Sequence, residues 1–455
     1  MSTRPFRVAV VGSGPAGFYA AGQLLASEVG VEVDLFERLP TPWGLVRLGV
    51  APDHPNIKAV SRVFEKIGAK PGFRFFGNVE IGRDLTHGEL MGLYDAVVYS
   101  FGAQTDRRMG IPGEDLPGSW PATAFVAWYN GHPDFQDLGI DLDCERVVVV
   151  GNGNVAVDVA RMLALTREEL APTDTADAAI AAISGCRIRE IVVLGRRGPA
   201  QAAFTNPELV ELTELAGADL IVDPADLELD AASETAAADD VMAQRNLEVL
   251  RAAAAKAPEG RARRVTLRFL TSPVALHGDG RVESVEVVRN RLEDDGNGRI
   301  VAVATDERET IPCALVLRSV GYLGVAIPGL PFDERRGVIP NDSGRVLAED
   351  GSPIPGLYTA GWIKRGPSGV IGTNKKDAAE TIELLLEDAA SGALPRADAT
   401  AADVDALLAA RNVEVVTHAG WQRIDEVERA AGEPHGRPRV KLCSWDELLA
   451  AARGN

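Results

Sequence analysis

The run Val8 to Gly17, V-A-V-V-G-S-G-P-A-G, constrains this chain more than any other stretch. Arg7 to Val11 is apolar, β-branched and too short for a helix, which predicts a buried parallel strand. Gly12-Ser13-Gly14-Pro15-Ala16-Gly17 closes it, and Phe18 to Ala26 is a good helix former. Strand, glycine turn and helix in that order cradle a pyrophosphate. The first glycine makes the tight turn, the second admits phosphates to the backbone, and the third lets helix and strand pack closely. Standing alone the pattern also fits an ordinary strand-to-helix corner. Here a second apolar strand, Val31 to Phe36, ends in Glu37, twenty residues beyond Gly17, where a carboxylate accepts hydrogen bonds from adenosine ribose hydroxyls. The stretch is expected to bind a dinucleotide.

The theme returns at Arg146 to Val150, followed by Gly151-Asn152-Gly153-Asn154-Val155-Ala156 and a helix over Val157 to Leu165. Two such units are far more specific than one. At the end of the next strand, Glu190 to Leu194, a ribose carboxylate is due, yet the chain reads Gly195-Arg196-Arg197-Gly198. Guanidiniums hold a 2′-phosphate through paired hydrogen bonds, whereas a carboxylate repels it. This predicts NADP(H) rather than NAD(H); the plain alternative is an exposed basic turn.

Length and charge bound the rest. A chain of 455 residues has room for two or three domains. A net charge of −19 argues against nucleic acid as a partner. Cys144, Cys186, Cys313 and Cys443 lie at least 42 residues apart, and neither they nor the six histidines show metal-ligand spacing, so no metal is expected. No apolar run approaches a membrane span, and the first strand follows Met1-Ser2-Thr3-Arg4 directly, so no membrane insertion and a cytoplasmic location are expected.

Between the glycine motifs, the proline-rich stretch Pro40 to Pro55 predicts an ordered loop. Ile57 to Ile67 reads as an amphipathic helix, and Phe73 to Ile81 and Tyr94 to Ser100 as strands. The turn-rich segment Ile111 to Gly118 marks a crossing between domains, and the centre of Asp223 to Pro258 a surface helix. Arg264 to Phe269, Val282 to Arg291 and Ala314 to Val320 have strand patterns that close the second domain. Further on, Gly356 to Trp362 is a short strand, and a helix over Lys375 to Glu387 is expected to be capped by Thr373 or Asn374, with Lys375 and Lys376 in its first turn. Asp403 to Leu449 reads as helical.

Taken together, Gly12 to Gly17, Pro42 to Pro55, Gly151 to Ala156, Gly195 to Pro199 and Gly361 to Lys376 resemble the adrenodoxin-reductase family of ferredoxin-NADP reductases. Glu433 to Leu442 (E-P-H-G-R-P-R-V-K-L) extends the likeness to its bacterial members. The resemblance implies an α/β fold of two Rossmann-like dinucleotide-binding domains. The FAD domain is discontinuous, over 1–107 and 322–455, with the NADP domain, 108–321, inserted. Beside the turn glycines Gly12, Gly14 and Gly17, it implies FAD contacts at Ala16, Glu37, Leu45, Ile81, Trp362, Gly369, Val370 and Ile371. For NADP(H) it implies Asn152, Gly153, Asn154, Val155, Arg196, Arg197, Glu208 and Gly369. His54 and Glu211 occupy positions proposed in the family to position or protonate groups near the flavin; their plainer readings are a loop histidine among prolines and an exposed glutamate one helical turn from Glu208. The chain lacks the active-site cysteine pair of the wider glutathione-reductase group.

The implied activity is NADPH:ferredoxin oxidoreduction, with hydride passing from NADPH to FAD and single electrons to a separate ferredoxin-type iron-sulfur protein. Ferredoxins are typically acidic, so a local basic patch is expected, with candidates in Arg196 and Arg197, the run Arg261 to Arg264, and Lys364, Arg365, Lys375 and Lys376. The alternatives are a flavoprotein reductase of a quinone or other small acceptor, an electron-input subunit of a larger complex, and a non-catalytic dinucleotide sensor.

Overall fold

In the computed structural model, which describes residues 4–296 and 299–454, the chain forms two compact units, Met1–Thr105 with Gly321–Asn455, and Asp106–Val320. The first unit is built on a seven-stranded sheet. Its parallel strands stand in the order Pro353–Thr359, Ala96–Tyr99, Phe6–Val11, Val31–Phe36 and Phe73–Phe76, and Arg345–Leu347 and Asn341–Asp342 add an antiparallel edge. Side chains alternate across a strand. Val8, Val10, Val33 and Leu35 therefore face one core, with Phe18, Leu24, Ile382 and Leu385 of the helices Pro15–Leu24 and Ile371–Ser391. Ala9, Val11, Phe36 and Val97 face the other, with Leu90, Val404 and Leu408. Because helices cover both faces, the strands read as continuous apolar runs rather than alternating ones.

The second unit has a six-stranded, wholly parallel sheet in the order Ser119–Pro121, Leu315–Arg318, Arg146–Val150, Glu190–Leu194, Arg263–Arg268 and Ala218–Val222. A separate antiparallel sheet, Thr271–His277, Ser284–Asp294 and Ile300–Pro312, packs its inner side chains Leu276, Val285, Val287 and Ile311 over Val148, Val150, Val192 and Leu194. The α/β class with two dinucleotide-binding folds is thus present in full.

Several element boundaries differ from the sequence expectation. Phe73 to Ile81 is a strand only to Phe76: Asn78 takes a positive φ of 59° and turns the chain, leaving Val79 and Ile81 buried in the loop beyond. Ile57 to Ile67 is two helices, Pro55–Lys58 and Ser61–Gly68, joined by tighter hydrogen bonds three residues back at Val60, Arg62 and Val63. The centre of Asp223 to Pro258 is likewise two helices, Ala231–Ala238 and Val241–Ala255, each started by an aspartate, Asp230 or Asp240, whose side chain accepts from the first turn. Among the described residues no helix is long and apolar enough to cross a membrane.

Candidate functional site

Each unit carries its glycine turn at the C-terminal end of a central parallel strand. In the first, Gly12 has φ +101°, and a Cβ there would lie 2.5 Å from Phe101 Cα. A Cβ on Gly17 would lie 2.0 Å from Gly12 O, so both positions exclude any side chain. Around the Gly14 Cβ position there is nothing within 4 Å. Gly14 is also the N-cap of the helix Pro15–Leu24, which has no side-chain cap and no acidic residue in its first turn. That leaves amide groups and the positive end of the helix dipole facing open space, as a pyrophosphate needs.

Glu37 stands beside this turn. It accepts from Ser13 N at 3.2 Å, Ser13 Oγ at 2.6 Å and Leu39 N at 3.0 Å, which fixes its carboxylate while leaving acceptor capacity for ribose hydroxyls. Trp43 N donates to Ser13 O at 3.0 Å and so ties the proline-rich loop to the turn. Leu45 follows, 46% exposed, as an apolar side chain available to a ligand. Ile81 is only 8% exposed and belongs to the core with Val79 and Leu85, so its backbone is what it can offer.

The third motif meets the same turn, because a Cβ on Gly361 would lie 2.6 Å from Ala16 Cβ. Gly361 N donates to Asp377 Oδ2 at 2.5 Å, and Lys364 Nζ lies 3.2 Å from Asp377 Oδ1, fixing the corner from which Trp362 projects. Trp362 stacks on Tyr322 with ring centroids 5.5 Å apart. The helix beyond starts at Ile371, four residues earlier than expected, with Val370 as N-cap; Thr373 accepts from Val370 N through Oγ1, and Asn374 accepts from Arg365. Neither is the cap, and Lys375 and Lys376 therefore sit in the second turn, where the dipole opposes them less. Gly369 has φ +79°, Val370 is exposed and Ile371 half-buried, so the N-terminal end of this helix stands open.

In the second unit Gly151 has φ +126° and its Cβ would lie 2.2 Å from Ser319 O, while Gly153, N-cap of the helix Asn154–Ala164, again has nothing within 4 Å. That helix too lacks a side-chain cap and first-turn acids. Asn154 Oδ1 accepts from Thr205 N at 2.7 Å and locks the turn, and Val155 follows in the first helical turn. Asn152 Nδ2 is buried without a hydrogen-bond partner among the described residues, a donor that a ligand could satisfy. Arg196 is exposed and Arg197 half-buried, and among the described residues neither guanidinium has a carboxylate partner. Burial, then Arg196 and Arg299, push the Arg197 pKa down, as expected of cations gathered for an anion.

Sequence reasoning missed Arg161. Only 2% exposed, it lies 2.9 Å from Asp158, 3.2 Å from Glu208 and 3.0 Å from Glu211, so both glutamates are held by one guanidinium. Glu211 is half-buried rather than free on the surface. The available signal was the three-residue spacing of Asp158 to Arg161 and of Glu208 to Glu211 on two helices, which is common on ordinary helix surfaces. His54 lies in the first unit, 8% exposed, at the N-terminus of the helix Pro55–Lys58.

The basic candidates divide sharply. Arg261 pairs with Glu259, Arg264 with Glu190, and Arg263 donates to Leu163 and Ile183 carbonyls. Lys364 is buried against Asp377, and Arg365 is spent on Asn374 and Ser368. Arg196, Lys375 and Lys376 remain exposed, with Lys376 3.8 Å from Glu380.

Comparison with known proteins shows the family and the fold. Residues 6–172 match the family model described as pyridine nucleotide-disulphide oxidoreductase. The chain is 52% identical over 461 residues to the NADPH-ferredoxin reductase FprA of Mycobacterium tuberculosis, covering 99% of this chain and 100% of that one. It is 42% identical over 464 residues to the mitochondrial NADPH:adrenodoxin oxidoreductase of Arabidopsis thaliana, covering 99% and 96%. The solved structure of Mycobacterium tuberculosis FprA in complex with NADPH superimposes with a TM-score of 0.94 at 51% identity, over 99% of this chain and 100% of that one.

Proposed function

The chain belongs to the adrenodoxin-reductase-like family of ferredoxin-NADP reductases, and from that premise we propose that it is an FAD-dependent NADPH:ferredoxin oxidoreductase. One arrangement carries the proposal: two helix N-termini without a side-chain cap behind glycine turns, one beside the carboxylate Glu37 and the other followed by the guanidiniums of Arg196 and Arg197, which have no carboxylate partner among the described residues. A carboxylate suits ribose hydroxyls and a guanidinium pair suits a 2′-phosphate, so FAD fits the first unit and NADP(H) the second.

When bound, the flavin supplies the conversion between a two-electron hydride donor and a one-electron acceptor. The protein supplies binding and alignment. Gly14 and Gly153 admit the two pyrophosphates to the helix ends, and Glu37, oriented by Ser13 and Leu39, accepts from the adenosine ribose. Leu45, Trp362, Val370 and Ile371 would provide apolar contact, Ala16 and Gly17 would lie in the turn itself, and Ile81 would offer its backbone. Asn152 donates through its unpaired Nδ2, Asn154 and Val155 present the turn, and Arg161 fixes Glu208 for NADP(H). His54 and Glu211 act as positioning groups for the reacting rings, because hydride transfer asks for alignment more than for a proton. The acceptor is an acidic ferredoxin that docks on exposed lysines.

Anaerobic mixing of the purified yellow protein with NADPH should bleach its visible absorbance, NADH should do so far more slowly, and added ferredoxin should accelerate cytochrome c reduction. A colourless preparation, or equal rates with the two nucleotides, would overturn the proposal. Bleaching without any effect of ferredoxin would point instead to a small-molecule acceptor.

A further inference from the structure

The chain after Ala401 adds the helices Ala401–Ala410, His418–Gly432 and Trp445–Arg453 to the first unit. The second of these carries Glu428, which is 0% exposed and has no part in the chemistry described above. Its carboxylate receives Arg47 Nη1 at 2.8 Å and Nη2 at 2.5 Å, a two-pronged pairing. Arg439 Nη1 at 3.0 Å and Leu442 N at 2.9 Å fill its remaining acceptor sites. Arg439 also binds Asp425 at 2.7 Å, and Lys441 Nζ donates to the Arg47 carbonyl at 3.2 Å. Burial alone would raise the Glu428 pKa; the charges of Arg47 and Arg439 hold it below the usual carboxylate range. Rings join the ions, since Trp43 and Trp421 meet edge to face at 4.8 Å, and Arg47 and Arg439 lie 5.4 Å and 5.7 Å from the Trp421 and Trp43 rings.

What this network holds is strained. Trp43 has φ +85°, a conformation that bulky residues rarely adopt and that persists only when the surroundings impose it. Gly44 follows at φ +50°, so close to the phosphate-binding turn that a Cβ on it would lie 3.0 Å from Gly14 Cα. A positive φ at Trp43 has to be held by its surroundings, and one contact, Trp43 N donating to Ser13 O at 3.0 Å, is with the turn itself. Arg47, three residues on and 4% exposed, lies in the helix Leu45–Leu48 that Gly44 opens, and its N–H donates to Gly44 O at 3.1 Å.

We propose that Glu428 is a positioning residue for the flavin site: through Arg47 it holds the strained Trp43–Gly44 turn against Ser13 and Gly14, so that a C-terminal helix remote from the chemistry sets the shape of the phosphate cradle. This rests on the assignment of FAD to the first unit.

The test compares Glu428→Gln with Asp95→Asn in the flavin-loaded protein. Asp95 is an equally buried carboxylate of the same unit, paired with Arg4 and Arg396, but it sits at the opposite end of the sheet from the glycine turn. FAD release into flavin-free buffer, the visible circular dichroism of the flavin, the thermal midpoint, and chymotrypsin cleavage between residues 40 and 55 are followed. Glu428→Gln should release FAD about tenfold faster, change the flavin dichroism and open the loop to cleavage, because the buried Arg47 loses its partner. Asp95→Asn should lower the thermal midpoint without the other three effects. If Glu428→Gln is recovered unfolded, Glu428→Asp keeps the charge, shortens its reach and is read the same way. FAD release and loop cleavage no greater than in Asp95→Asn at equal thermal midpoint would overturn the proposal. A wild-type protein that holds no flavin would sink the assigned function alone, since loop cleavage still reads the restraint.

Discussion

Gly151 and Gly153 stand two residues apart in one turn and answer to opposite demands. Gly151 is there for the fold, since its φ of +126° and a Cβ 2.2 Å from Ser319 O leave no room for a side chain. Gly153 has extended backbone, φ −93° and ψ 177°, and open space where a Cβ would go, so only a ligand requires it. Gly151→Ala should therefore cost about 3 kcal/mol or more in denaturant unfolding. In Gly153→Ala the N-cap preference for glycine over alanine offsets the gain from restricting the unfolded chain, so stability should stay within about 1 kcal/mol of the wild type, while NADPH affinity falls at least about tenfold by fluorescence titration. Arg197 poses the same conflict with charge. Its pKa is lowered by burial and by Arg196 and Arg299, so without a phosphate it opposes its neighbours. Arg197→Ala should not lower the thermal midpoint of the nucleotide-free protein, yet should raise KM for NADPH about 10- to 100-fold and leave that for NADH nearly unchanged. The place of these residues in the fold was legible in the sequence because a strand, a glycine turn and a helix follow one another in a fixed order. Arg161 was not, because the three carboxylates around it come together only when two helices pack.

Elements were legible in proportion to how completely they are buried. Arg146–Val150 and Glu190–Leu194 read as strands because both of their faces are covered, one of them by the antiparallel sheet, which leaves them apolar after their first residue. Ile300–Pro312 was missed, for its centre, Asp306 to Glu309, is exposed on both faces and carries no two-residue period. Arg264 to Phe269 and Val282 to Arg291 were both read as strands that close the second domain, with nothing in them to tell that the first pairs in the parallel sheet and the second in the antiparallel one. Periodicity reports exposure, not partners. Burial also sets a titration that no pattern announces. Asp106, at the start of the second unit, hydrogen-bonds to Thr123, and burial raises its pKa from 3.8 to about 6, against the lowering influence of Thr123 and Arg318. For an acid with a raised folded pKa, the contribution to stability is fully present below pH 3.8 and is lost as pH rises through about 6. Asp106→Asn should accordingly raise the thermal midpoint at pH 8, by no more than about 3 kcal/mol in stability. The gain should shrink on acidification and vanish near pH 4; a constant gain at every pH would place its origin elsewhere.

At the scale of the whole molecule, the proposed acidic acceptor would have to approach a chain of net charge −19 against that chain's own field. Composition alone cannot show where, because a basic residue in the sequence is not a free cation in the fold. Arg261, Arg264, Lys364 and Arg365 are consumed by Glu259, Glu190, Asp377 and Asn374, which are distant or unremarkable in the sequence. Lys375 has no ion-pair partner among the described residues, and Lys376 has only a loose one in Glu380. Both are exposed near the open N-terminal end of the helix Ile371–Ser391, close in sequence to Gly369 and Val370, so docking there would bring an acceptor beside the expected flavin contacts. Charges on such a rim act chiefly on encounter and are screened by salt, unlike the buried pairs. Reversing both, Lys375→Glu with Lys376→Glu, should lower kcat/KM for ferredoxin about 10- to 100-fold at low ionic strength, the difference shrinking as salt rises toward 0.5 M. A neutral quinone, which needs no protein docking and carries no charge for the lysines to steer, serves as the internal control and should be reduced by NADPH at the wild-type rate. Equal ferredoxin kinetics in the two proteins at low salt would move the docking face off this helix, and a flat salt dependence in the wild type would remove charge from docking altogether.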